Sequence, residues 1–308
     1  MRETRSEKVR VMREMPATKQ LTGIVATLLL GAGALLGCGA SGATHPPPAS
    51  VAGASAEEEE DATAGLVEHH RYHHHGGVTL LIAMSLDTLG LSPEQKPIVE
   101  KLRNDLHARM EPARAAEQNL VGTLADVLAA GMLDPVKVDA AVAQLTSAAA
   151  MVHDASTDAL NQLHGVLTPP QRAALVDKLE AHWSVWQRAN TDESDHLTEL
   201  TAELDLTPDQ VDKIRTSQAE AMKALPRFDS QEVTANIRAF GDAFRARTFD
   251  AKTLTTGGAA TAHMVGWGAA RMAHFIESVS PVLLPEQRGK LAQMLRQHAN
   301  HNPSANGG

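Results

Sequence analysis

Between residues 138 and 167 the apolar positions fall at Val138, Val142, Leu145, Ala149, Val152, Leu160, Leu163 and Leu167, mostly three or four apart with one step spanning Ser156. Val99, Leu102, Leu106, Ala113, Leu120, Leu124 and Val127 repeat the spacing. This is the period of a helix with one buried stripe, and no stretch alternates with the period of two that a half-buried strand needs. Gly131 offers a stop after the earlier stripe, and Asp134-Pro135 a start for the later one. Pro112 and Pro226 sit inside two long stripes at near-equivalent places, where a missing N–H and a ring clash predict bends. The pattern predicts an all-α fold. Each half would hold a short first helix (78–89 and 192–204), a long kinked hairpin and a capped last helix.

Four helix starts share one form: Leu91-Ser92-Pro93-Glu94-Gln95, Leu167-Thr168-Pro169-Pro170-Gln171, Leu206-Thr207-Pro208-Asp209-Gln210 and Leu283-Leu284-Pro285-Glu286-Gln287. Ser or Thr caps, Pro takes the first helical position where no N–H is required, and Gln closes a capping box. Leu284 breaks the cap in the fourth copy. The first and third starts lie 115 residues apart, the second and fourth 116, and Leu133-Asp134 falls on Phe249-Asp250. An offset this long reads as a tandem domain duplication, with a first domain over 78–186 and a second over 187–300, ahead of a disordered tail at 301–308.

The N-terminus is of another kind. Residues 1–20 are basic, and 21–36 form an apolar run too short for a comfortable membrane span, which suits a signal-peptide core. Leu35-Leu36-Gly37-Cys38 follows and resembles the lipobox of bacterial lipoproteins, in which the cysteine is lipidated; Cys38 is also the only cysteine. A signal over 1–37 is therefore expected, and a lipid anchor at Cys38. Gly39, where an aspartate would favour the inner membrane, points to the periplasmic side of the outer membrane. Residues 38–77 read as a disordered tether poor in aliphatic residues, which cannot offset its own ordering entropy. As a coil it would average on the order of 35 Å.

Charge narrows the partners. The chain carries −9, and residues 1–37 hold 6 Lys+Arg against 3 Asp+Glu, so their removal leaves −12. The first half is acidic (8 basic and 12 acidic residues over 91–183) and the second basic (12 and 9 over 206–299). Nucleic acid does not suit such a chain. No G-x-S-x-G, P-loop or H-E-x-x-H is present, so no enzymatic activity is expected and no cofactor is required.

The four L-[T/S]-P-x-Q starts resemble the L-T-x-x-Q motif of the Spy/CpxP family of periplasmic stress proteins. The resemblance spans roughly 86–185 and 200–299. It implies thin helical cradles built by antiparallel dimerisation, chaperone action without ATP, and, among relatives, binding of zinc, nickel or cobalt. Two copies in one chain would let the cradle form as an intrachain pseudo-dimer, with a homodimer as the alternative.

Two groups of residues then carry candidate chemistry. For a chaperone of unfolded or misfolded envelope proteins, the basic second half offers Arg238, Phe240, Phe244, Arg245 and Arg247, although Phe240 and Phe244 at i, i+4 also suit a core. For a metal-responsive sensor or buffer, His69, His70, His73, His74 and His75 offer imidazoles to Zn, Ni or Cu. His263 and His274 share a face three turns apart, roughly 16 Å, too far to share an ion. His182 and His298 recur near helix ends, where capping is the simpler role.

Overall fold

The computed structural model describes residues 75–86, 89–189, 194–225 and 228–300. The described part is all-helical: α1 (Gly77–Met84), α2 (Gln95–Ala130), α3 (Pro135–Val166), α4 (Pro169–Ala189), α5 (Ser194–Leu204), α6 (Pro208–Ala224), α7 (Ser230–Arg245), a 3-10 turn (Ala251–Thr253), α8 (Gly257–Val279) and α9 (Pro285–Asn300). No described helix is long and apolar enough to cross a membrane.

Local chemistry sets the boundaries. α2 ends on Gly131 at φ +66, the left-handed stop that a residue without Cβ takes cheaply. α3 starts on Pro135 behind Asp134, whose Oδ1 accepts from Lys137 N at 3.2 Å. Pro112 does not break α2, which runs 36 residues through it. In the second half the corresponding segment is interrupted: α6 stops at Ala224, Leu225 is extended (φ −77, ψ 136) as expected of a residue before proline, and α7 restarts behind Asp229. Pro226 itself lies outside the described residues.

Neither half encloses a core of its own. One buried cluster joins α1, the start of α2, the end of α3 and α4 to Val233, Ile237, Phe240 and Phe244 of α7 and Met264 of α8. The other joins the end of α2 and the start of α3 to α5, α6, α9 and the rest of α8. The contacts between halves are reciprocal. The last helix of each packs on the second helical segment of the other, α4 on α7 and α9 on α2, and α3 lies along α8.

The α3–α8 pairing is antiparallel and close, because α8 turns glycines toward α3. A Cβ on Gly258 would stand 2.6 Å from the Ala150 carbonyl oxygen, and one on Gly266 2.8 Å from Thr146 Oγ1. The arginine after each half's second motif glutamine lies near the end of a helix of the other half, Arg288 directly and Arg172 through His164. Arg288 lies against Gly131 at the end of α2, and Arg172 touches the His164 ring (2.9 Å), which in turn meets Ala246 O (3.0 Å) at the end of α7. A cation at a helix C-terminus is favoured by the helix dipole.

Candidate functional site

The four motif glutamines do more than cap. Gln95 Oε1 accepts from Ser92 N at 2.9 Å, as the capping box predicts, while its Nε2 donates to Val166 O, just before the second motif, also at 2.9 Å. Gln171 answers: its Oε1 accepts from Thr168 N (2.9 Å) and its Nε2 donates to Gly90 O (2.7 Å). The two amides also bond each other in both directions at 2.9 Å. Every donor and acceptor of both side chains is used.

The second half repeats this arrangement. Gln210 accepts from Thr207 N (3.0 Å) and donates to Val282 O (3.1 Å) and to Gln287 (2.8 Å), and Gln287 donates to Leu204 O (3.0 Å). Leu284 has no hydroxyl to cap with, yet its N–H still donates to Gln287 Oε1 at 2.9 Å. So the fourth motif loses half its box and keeps its clasp. Of the motif leucines, Leu167, Leu206 and Leu283 are buried in the two cores and Leu91 packs against the first.

The clasps fix the scaffold; the chemistry lies elsewhere. Residues 75–77, expected as the end of a disordered tether, are part of the folded body. His75 is buried and its Nδ1 meets Glu117 Oε2 of α2 at 2.8 Å. Two glycines let the chain come this close. A Cβ on Gly76 would run into Met110 Sδ, and Gly77, at φ +51, packs on Thr261 of α8. Nearby, the Glu111 carboxyl is held below its ordinary value chiefly by hydrogen bonding to Arg114 (2.7 Å), with a smaller pull from His75.

When Nδ1 donates to a carboxylate, Nε2 carries the lone pair, the tautomer in which histidine ligates metals. No group of three or more His, Cys, Asp or Glu side chains among the described residues could hold an ion by itself. His69, His70, His73 and His74 lie outside the described residues, as does Cys38. His263 stacks on Phe228 and accepts from Asp229 N (3.3 Å), and His274 Nδ1 meets Glu277 (3.0 Å), so those two serve separate local contacts. His182 is buried near the end of α4, and the His298 side chain lies outside the described residues.

The basic and aromatic residues of α7 divide. Phe240 and Phe244 are buried, 3 % and 0 % exposed, packing on each other and on Phe249. They are core, which corrects the expectation that they face a client: Phe244 also meets the His164 ring of α3 edge-on at 5.3 Å. Arg245 is spent on Asp177 (2.6 Å) and Glu180 (3.4 Å) of α4. Arg238 and Arg247 remain exposed.

Sequence reasoning missed the tryptophans. Trp183 and Trp186 stack at 4.9 Å, Phe228 sits 5.2 Å from Trp186 and 5.0 Å from Trp267, and Arg271 lies 4.9 Å over Trp267. All three tryptophans of the chain are in this group, and Phe228, His263 and Trp267 keep part of it in solvent. The i, i+3 spacing of Trp183 and Trp186 was the available signal.

The His75–Glu117 contact falls between residues 61 and 174. Residues 61–174 match a heavy-metal resistance family model. The match runs from the acidic and histidine-rich segment through α1, α2 and α3 to the first turn of α4, a little over a third of the chain, and it ends just past Gln171. That stretch is similar to a helical family of the Spy/CpxP kind. No curated protein and no solved structure matches the chain.

Proposed function

We propose that this is an exported, lipid-anchored metal-handling protein of the cell envelope, built from two tandem Spy-like copies packed as an intrachain pseudo-dimer. Residues 69–75 capture Zn, Ni or Cu, and the His75–Glu117 contact ties that capture to the helical body. The single observation that carries the reading is this contact within the heavy-metal resistance match. His75 fits the part of an imidazole ligand and Glu117 that of its orienting carboxylate; His69, His70, His73 and His74 would supply the remaining donors. No reaction is assigned and no cofactor is needed. The reciprocal packing of α4 on α7 and α9 on α2 supports the pseudo-dimer.

Titration of the full chain with zinc, nickel and copper, by calorimetry at fixed pH, tests it. Deleting residues 69–75 is expected to abolish the tight phase. Glu117→Gln, which keeps the shape but not the charge, should weaken it about 10- to 100-fold, the usual cost of losing an orienting carboxylate. Affinity unchanged by both would end the metal reading.

A second reading, an ATP-independent chaperone, is favoured by the half-exposed aromatic group around Phe228 and Trp267. It predicts suppression of aggregation of a denatured test protein that is indifferent to chelator and to loss of residues 69–75, but weakened by Trp267→Ala. Absence of suppression at equimolar protein would remove it.

A further inference from the structure

The two ends of the bundle are equivalent in fold and unlike in surface. At the α2–α3 turn and the start of α9 stand four large exposed apolar side chains: Met132 (74 %), Leu133 (39 %), Val136 (79 %) and Leu284 (59 %). The two segments are neighbours: the Arg288 guanidinium donates to Leu283 O at 2.8 Å while lying against Gly131. At the 116-residue offset, Met132, Val136 and Leu284 correspond to Thr248, Lys252 and Thr168, all exposed, and Leu133 to the half-buried Phe249. The same fold positions are therefore satisfied by polar residues at the other end. Packing does not call for apolar ones here, and Leu284 gives up a capping hydroxyl to be apolar.

We infer that this end of the bundle docks on a phospholipid bilayer, the four side chains entering the interfacial layer while the helices stay outside it. Size argues against a protein partner. With roughly 150–200 Å² for a fully exposed side chain, the patch offers about 450 Å², about half of what each side of a stable protein interface buries and ample for shallow interfacial insertion. The nearest charges are mixed in sign: Asp134 and Lys137 pair with each other (3.3 Å), and Glu286 stands against Arg288 in the same turn of α9.

The inference rests on the anchored-envelope reading, and its geometry is consistent with that reading. Residues 39–74 separate Cys38 from His75. A coil of that length would average on the order of 35 Å. The chain enters the body at Gly76 against Met110, which lies about 32 Å along α2 from Gly131. A lipid on Cys38 thus keeps the patch at high effective concentration over the bilayer.

The test uses the full-length lipidated chain in phosphatidylethanolamine/phosphatidylglycerol vesicles, with methionine oxidation by peroxide read by peptide mass spectrometry. Met151, 69 % exposed on α3 well away from the patch, is the internal clock. Met132 is expected to oxidise about tenfold more slowly than Met151, and V136K/L284T, which installs the other end's residues, to restore equal rates with the same thermal melt or a higher one. Equal rates in the unaltered chain, or protection that disappears when the protein is diluted at constant lipid, would overturn the inference, the latter by showing that a second copy covers the patch. A chain that does not float with vesicles at all defeats the anchor reading and this inference with it; flotation without protection defeats the inference alone.

Discussion

Replacing Gln95 with Ala separates the two roles of the motif glutamine. As a cap, Gln95 contributes one bond, from Ser92 N; as a clasp it contributes three more, to Val166 O and twice to Gln171. Each is worth about 0.5–1.5 kcal/mol net, and because the site is only part-buried, water replaces some of what is lost. A cost of about 2–3 kcal/mol follows. Ser92→Ala removes the 3.3 Å bond from Gln95 N and the exposed 2.7 Å bond to Glu94 Oε2, and should cost about 1 kcal/mol. Gln171→Ala breaks the same amide pair from the other side, so the double variant should cost about 1–2 kcal/mol less than the sum of the singles. Urea denaturation followed by far-ultraviolet circular dichroism supplies all four corners of the cycle. If Gln95→Ala costs no more than Ser92→Ala, and the two glutamine effects simply add, the clasp contributes nothing and the motif is only a cap.

Other expectations are briefer. Leu284→Thr completes the fourth capping box and should stabilise the chain by about 0.5–1 kcal/mol in the same assay, a gain the protein forgoes as it stands. Phe244→Ala should cost about 3–5 kcal/mol, whereas Arg238→Ala and Arg247→Ala should stay within about 0.5 kcal/mol, since only the first leaves a cavity. Glu111, held low by Arg114, contributes stability above its ordinary value of 4.5 and loses it as pH falls through the depressed one; melting curves of Glu111→Gln and the unaltered chain should therefore differ slightly at neutral pH and converge in acid.

Helix content and the four helix starts were readable because capping and the 3.6-residue period are local signals. The clasp was not, because a Gln three residues after Ser or Thr is already explained by its own cap; its second use depends on two starts 76 residues apart facing each other. His75 was hidden in a tract whose composition argues for a tether, and only the glycine pair after it marks the place where the chain meets Met110 and Thr261. The pairing of Phe240 with Phe244 fitted core and client surface alike, because the neighbours that bury Phe244, His164 and Phe249, are distant in sequence or past the end of its helix. Near-equivalent prolines accompany one unbroken helix and one interruption, a difference no local signal announces.

The interleaving of the two cores has a consequence for how such a chain can change. In a symmetric homodimer every substitution is made twice, so a leucine that opens one surface to lipid opens both, and a weakened cap weakens two helices. Here the reciprocal helices belong to one covalent chain, and each position varies alone. The acidic and basic halves, the uninterrupted and interrupted second segments, and Leu284 opposite Thr168 are differences a twofold assembly could not hold. The same interleaving sets a limit, because a chain cut between α4 and α5 leaves each fragment without part of both cores, and neither piece can be expected to fold without the other.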